Sequence, residues 1–363
     1  MTTPPNETPV LATNPASPGA PLGEAPSRIA ATVDLGKDGK QHGYLRVPHS
    51  RNDSAWGFVQ IPITVVGKGR GPTILLTGAA HGDEYEGPIS LMKLSRAIDP
   101  DSITGRLIIV PALNLPAVKS ATRLSPIDGV NLNRAYPGGR SGSISAMIAD
   151  YVYRELVIAA DIVVDFHSGG KTLDFVPCAV MHQLDDEGLF QQTLEALKAF
   201  GAPVGLVLRE LDDEGMLDTA VESLGKPFIS TELGGAGRVT AETMAITDRG
   251  VTNLLRHFGV LEASADPLGI GPAAVAETRL MHTPDADCFI ASEHAGMFEM
   301  VADLGATVRK GDPVGRVHFH EDASAPAVTY LAGHDGLVLS RHCPGLIQRG
   351  DCLAVIATDF PSR

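Results

Sequence analysis

TILLTGAAHGDEYEGPISLMKLSRAI, residues 73–98, decides the fold. Residues 73–76, running on into Thr77, Gly78, Ala79 and Ala80, are apolar or small throughout and read as a buried strand. Residues 86–98 then turn to a helical period through Ile89, Met92 and Leu94. A buried strand that feeds a helix is the repeating unit of a parallel sheet. The unit recurs. Residues 107–110 read as a strand, a long loop rich in Gly and Pro covers 119–142, and a helix is expected near 143–159. A strand at 162–166 ends at His167. A helix at 187–200, strands at 204–208 and 227–231, and a helix near 239–258 follow. Short β-rich runs at 43–48 and 56–66 precede the whole series. The expectation is an α/β fold built on a mostly parallel mixed sheet with helices on both faces. In such sheets ligands bind beyond the carboxyl ends of the strands. That rule points to the residues just after Ala80, Phe166 and Thr231.

Around this core the composition sets limits. The chain has 363 residues, 44% hydrophobic and 20% charged, and its net charge is −14. The apolar share is enough for a true core, which excludes a disordered or fibrous protein. The acid excess argues against a nucleic-acid or anionic-membrane partner, because phosphate binding needs clustered Lys and Arg. The four cysteines, Cys178, Cys288, Cys343 and Cys352, form no CxxC pair, so a reducing compartment is expected rather than a disulfide scaffold. Residues 1–28 carry repeated prolines among Thr, Ala and Asn, with neither the basic start nor the apolar centre of a signal peptide. They read as a disordered tail on a cytoplasmic protein. No apolar run reaches the roughly 20 residues of a membrane span.

The catalytic α/β part is expected over residues 29–260 and a linker over 261–278, where Ala, Pro and Gly gather without period. Residues 279–363 are β-like and weakly repeated: GATVRKGDPVGRV at 305–317 lines up with GLIQRGDCLAVI at 345–356. Each half places a Gly-Asp turn before an apolar strand. Two such halves resemble the β-domain of biotinyl and lipoyl carriers.

Four motifs carry chemistry. His81-Gly82-Asp83-Glu84 ends the first buried strand; an imidazole and a carboxylate at that spacing can share one metal ion, and Gly78, Gly82 and Gly87 permit the tight turn. The spacing alone is cheap, as His182-Gln-Leu-Asp185 and His282-Thr-Pro-Asp285 show. Asp165-Phe166-His167-Ser168-Gly169-Gly170 puts a histidine at a second strand end. If the two strands are neighbours, His167 completes a His–Glu–His set of the zinc-carboxypeptidase type. Asp165 is then either a partner of a ligand or a plain strand-end acid. Thr231-Glu232-Leu233-Gly234-Gly235 offers a carboxylate able to move a proton from water to a leaving amine, or an ordinary exposed acid. The loop with Arg123 and Asp128-Gly129-Val130-Asn131-Leu132-Asn133-Arg134 is too long to be an idle connection, and its arginines suit a carboxylate or an oxyanion.

In this order HGDExEG, DGxNLNR, DFHSGG and TELGG resemble the succinylglutamate desuccinylase/aspartoacylase family, within the zinc-carboxypeptidase superfamily. The resemblance spans about residues 55–260. It implies one zinc ion per chain held by His81, Glu84 and His167, and Glu232 as general base. It further implies Arg123 on the scissile carbonyl, and Asn133 with Arg134 on the substrate carboxylate. The stretches 40–44, 53–57 and 170–175 look closest to the branch that deacetylates Nα-acetyl-L-2,4-diaminobutyrate in ectoine degradation. The alternatives are an aspartoacylase or a succinylglutamate desuccinylase. Diaminobutyrate carries an ammonium, for which Asp174 and Asp218 are the candidate partners, each equally readable as a solvated acid. A carrier or binding protein is the remote reading. Carriers load a lysine between their two halves, whereas Lys310 is the only lysine of residues 279–363 and sits in a Gly-Asp turn. That part is expected to be a cap or the contact of a homo-oligomer.

Overall fold

The structure, a computed structural model, describes residues 26–209, 214–271 and 277–361. Residues 1–25 of the expected tail and 272–276 of the expected linker lie outside the described residues. Two N-terminal strands, the short β1 (Ala30–Ala31) and the long β2 (Gly39–Pro48), lead to β3 (Phe58–Lys68) and β4 (Thr73–Gly78). The chain continues through helix α1 (Glu86–Ala97), β5 (Gly105–Val110), α2 (Leu115–Ser120) and α3 (Ile144–Tyr151), whose last turns widen to a π-helix over Val152–Val157. Next come β6 (Ile162–His167), β7 (Leu173–Phe175), β8 (Cys178–His182), α4 (Glu187–Phe200) and β9 (Val204–Leu208). Helix α5 (Leu217–Glu222), β10 (Phe228–Glu232) and α6 (Ala241–His257) complete the α/β part.

These strands order as β1-β2-β3-β5-β4-β6-β10-β8-β9. The pairs β5–β4, β4–β6, β10–β6 and β8–β9 are parallel. On the β1 side, β1, β2, β3 and β5 pair antiparallel in turn, and so does β8 against β10. The sheet is therefore mixed: its parallel pairs run from β5 through β10 and resume at β8–β9. The sequence reading foresaw neither β8 nor the short helix α5, which carry no sequence period long enough to be counted. Helices do cover both faces. On one, Leu91 and Leu94 of α1, Phe190 and Leu197 of α4 and Leu254 of α6 pack on Ile74, Leu76, Val164 and Phe166. On the other, Ile144 and Ile148 of α3 and Leu217 of α5 pack on Val65, Leu75, Ile108 and Val163. Burying such side chains contributes roughly 1.5–3 kcal/mol each.

Beyond residue 277 the described elements are strands and one short 3₁₀ turn: β11 (Arg279–His282), β12 (Phe289–Ala291), β13 (Gly296–Met300), β14 (Thr307–Val308) and β15 (Pro313–His318), then β16 (Val328–Leu331), β17 (Gly336–His342), β18 (Leu346–Ile347) and β19 (Cys352–Asp359). They are joined to the central sheet. β11 runs parallel to β9 and carries the order on through β19, β17 and β14, and β7 pairs with β17. A smaller sheet orders as β16-β15-β13-β18. Among the described residues no helix is long and apolar enough to cross a membrane.

Candidate metal and substrate site

The central parallel strands deliver the site. β4 and β6 are neighbours with Gly78 opposite Phe166, and β6 and β10 are neighbours with His167 opposite Glu232. Beyond β4 the chain turns sharply. Ala79 adopts φ 57°, and the amides of Leu113 and Asn114 donate to the carbonyls of Gly78 and Ala79. The Asn114 side chain closes the turn by donating Nδ2 to the Ala80 carbonyl at 3.1 Å. A left-handed alanine costs about 1–3 kcal/mol, a strain that recurs at functional sites. Gly82 fits closely here: a Cβ at that position would lie 2.0 Å from the Ala117 carbonyl carbon.

The turn brings His81 and Glu84 to His167. Their candidate ligand atoms all lie within 4.8 Å of one another, and all three side chains are buried. The Nδ1 atoms of both rings face the carboxylate, His81 at 2.7 Å from Oε1 and His167 at 2.9 Å from Oε2. The far nitrogens are held as well: His81 Nε2 lies 3.0 Å from Asn131 Oδ1 and His167 Nε2 lies 2.9 Å from Asp165 Oδ2. Asp165 in turn accepts from Thr77 Oγ1 at 2.7 Å. It is thus a partner of His167, in the manner by which carboxylates orient metal-binding imidazoles. Burial opposes the Glu84 charge, yet the charges of His81 and His167 hold its carboxyl far below the usual range. Burial also opposes charge on His167, and Asp165 and Glu84 outweigh it, holding the ring well above its ordinary value. A carboxylate bracketed by two imidazoles, each fixed from behind, is a donor set suited to a divalent ion.

These groups open onto a cleft of about 330 Å³, lined also by Arg123, Asn133, Arg134, Asp218 and Glu232. Arg123 reaches over the group, its Nη1 3.3 Å from His81 Nδ1 and 3.6 Å from Glu84 Oε1. Asn133 accepts from the Leu217 amide at 3.0 Å through its side-chain carbonyl, which ties the DGxNLNR loop to α5 and leaves its amide nitrogen as donor. Arg134 donates to the Asn133 carbonyl at 2.8 Å. Asp83 is turned the other way and accepts from the Lys171 amide at 3.0 Å, so it braces the loop after His167.

Asp174 does not reach the cleft, a correction to its expected role. Alternation along β7 sends Leu173 and Phe175 to the lining and Asp174 to the opposite side. There it pairs with Arg238 at 3.2 Å and Arg341 at 3.6 Å. Asp218 does line the cleft, with two residues that the sequence reading passed over, His182 and Glu222. The last strands contribute Phe289, Leu339, Cys352 and Val355 to the same lining, so the C-terminal part is a wall of the cleft.

Fold and site together define a class: an α/β protein with a His–Glu–His group able to hold a metal ion at the ends of central parallel strands, a carboxylate in register on the next strand, and two arginines lining the same cleft. Residues 70–258 match the model of the succinylglutamate desuccinylase/aspartoacylase catalytic domain, and the chain belongs to that family. It is a deacylating hydrolase. It is 47% identical to the N-alpha-acetyl-L-2,4-diaminobutyric acid deacetylase of Halomonas elongata, over 92% of this chain and 96% of that one. Its structure is similar to the product-bound ectoine utilization protein EutE (DoeB) of Ruegeria pomeroyi, with TM-score 0.88 and 50% identity over 92% of this chain and all of that one. A succinylglutamate desuccinylase of Silicibacter sp. TM1040 superposes with TM-score 0.87 and 48% identity over 93% of this chain and all of that one.

Proposed function

We propose that this chain is a zinc-dependent deacetylase that hydrolyses Nα-acetyl-L-2,4-diaminobutyrate to diaminobutyrate and acetate in ectoine breakdown. The observation that carries the chemistry is the convergence of His81, Glu84, His167, Glu232, Arg123 and Arg134 on one cleft. Two imidazole nitrogens and one carboxylate oxygen are the donors zinc prefers in a catalytic site, with a position left for water. Zinc bound there would polarise the amide carbonyl and make water more acidic. Glu232, opposite His167 on the adjoining strand, takes the proton of the attacking water and passes it to the departing nitrogen. Arg123 donates to the carbonyl oxygen as negative charge gathers on it. The Asn133 amide and Arg134 hold the substrate's carboxylate. Water adds across the C–N bond, and the products are a carboxylate and an amine.

The substrate is supported by the two relatives of about half identity whose names refer to diaminobutyrate and to ectoine. The four cysteines are all unpaired, which suits the reducing cytoplasm. We also propose that residues 279–363 are a β-unit on the plan of biotinyl and lipoyl carriers without their function. Its two halves make the same turn: Gly311 and Gly350 take φ 91° and 95°, and the following Asp312 and Asp351 accept from the Arg309 and Gln348 amides. Metal analysis of the purified protein, with a screen of N-acyl amino acids for released amine, tests the proposal. One zinc per chain and acetate release from Nα-acetyl-diaminobutyrate are expected. A metal-free protein with full activity, or turnover of Nα-acetyl-aspartate in preference, would overturn it.

A further inference from the structure

We propose that Glu222, with Asp218 and His182, receives the side-chain ammonium of the substrate, so that the cleft selects an Nα-acyl amino acid that is neutral overall. This rests on the amidohydrolase reading and names the part of the site that chooses among the family's substrates. Among the described residues the lining holds four carboxylates, Glu84, Asp218, Glu222 and Glu232, against two guanidinium groups, Arg123 and Arg134. A divalent ion at His81, Glu84 and His167 would balance these six side chains. A dianion such as Nα-acetyl-aspartate would then enter with excess negative charge, which is costly where water is scarce. A substrate with one carboxylate and one ammonium adds none.

The geometry around Glu222 says where that ammonium goes. Asp218 and Glu222 stand four residues apart on α5 and so share a face. His182 lies between them, its Nδ1 2.8 Å from Glu222 Oε2 and its Nε2 3.8 Å from Asp218 Oδ2. Within this trio two carboxylates stand against one ring. Glu222 Oε1 is fully buried and has no hydrogen-bond partner among the described residues. An unmatched buried acceptor is expensive, and an ammonium with three N–H groups is the natural donor to fill it. Met216, Leu208 and Phe228 line the cleft with these residues and suit the methylenes of a short side chain. One contact links the two charged ends, because the Leu217 amide at the start of α5 donates to Asn133 beside Arg134.

The test compares Nα-acetyl-diaminobutyrate with Nα-acetyl-norvaline, which replaces the ammonium by a methyl group, in the wild type and in Glu222→Gln. Calorimetry of L-2,4-diaminobutyrate and L-norvaline on the zinc-loaded proteins supplies a readout that needs no turnover. The kcat/KM ratio of charged to uncharged substrate should fall roughly 30-fold or more in the variant, through KM, as loss of a buried charge partner predicts. The Kd of diaminobutyrate should weaken in step, while that of norvaline stays within a few-fold. If Glu222→Gln does not fold, Asp218→Asn carries the same comparison. An unchanged ratio with an unchanged diaminobutyrate Kd overturns the proposal and leaves the amidohydrolase reading standing. If no N-acyl amino acid is turned over, that reading falls, and the calorimetric contrast alone decides whether this corner holds an ammonium.

Discussion

His167 answers to two partners at once. Its Nδ1 faces Glu84 and its Nε2 is held by Asp165, which is itself fixed by Thr77. The two contacts have separable consequences. His167→Ala should lose zinc and activity together, read by metal analysis, since two protein ligands rarely hold a catalytic zinc. Asp165→Asn should keep the ligand but loosen its aim, weakening zinc affinity by roughly 10–100-fold in a competition with a chelating dye. Glu232→Gln should retain the metal and lose kcat by roughly 10²–10⁴-fold. An unchanged rate in that variant would place the base elsewhere. At this scale the sequence was legible where a side chain closes a mostly apolar strand. His167 and Glu232 are such residues, and His81 follows within a few positions of another. Asp174 was not legible in this way, because which side of β7 faces the cleft depends on how β7 pairs with β17, far along the chain.

Elements decide which of these residues meet. Strands β4, β6 and β10 lie side by side, so three motifs spread over some 150 residues of sequence end within one cleft. Strong periods made these strands and α1, α4 and α6 readable in advance. β8 and α5 have five and six residues, too few for a period to stand out, and they bring His182, Asp218 and Glu222. His182 was even set aside as a coincidence of spacing. The seating of α1 on β6 is tight: a Cβ at Gly87 would lie 2.2 Å from the Phe166 Cβ. Gly87→Ala should therefore cost about 1–3 kcal/mol in urea unfolding, as overpacking does. Because α1 begins two residues after Glu84, its zinc occupancy should fall as well. The loop bearing Arg123 and Arg134 makes a kinetic prediction. Arg123→Ala should lower kcat by roughly 10²-fold or more, as loss of an oxyanion donor does. Arg134→Ala should instead raise KM, since a carboxylate clamp acts in ground and transition states alike. The reverse pattern would exchange their roles.

For the whole molecule the proposed metal would also be a ligand of the folded state. Its three proposed ligands come from turns and strand ends on both sides of a long stretch of chain, so the unfolded protein cannot hold it equally well. Treatment with a chelator should lower Tm and abolish activity, and added zinc should restore both. At free zinc a thousandfold above Kd the linkage is worth about 4 kcal/mol. A Tm indifferent to chelation would separate the metal from the fold. That Phe289, Leu339, Cys352 and Val355 complete the cleft was not legible, because it follows from β11 joining β9 and from β19 joining β11 in one continuous sheet.

The same continuity has a consequence for synthesis. The ribosome delivers His81, Glu84, His167 and Glu232 long before β17 and β19 emerge, and domains generally fold in that order. During that interval the nascent chain already owns every proposed metal ligand, while the wall that will enclose them has not been made. β9 meanwhile waits with an open edge, the kind of edge that invites pairing with other chains. Translation that stalls in this window would leave a polypeptide carrying the proposed zinc ligands and prone to aggregate, but without the pocket in which to use them.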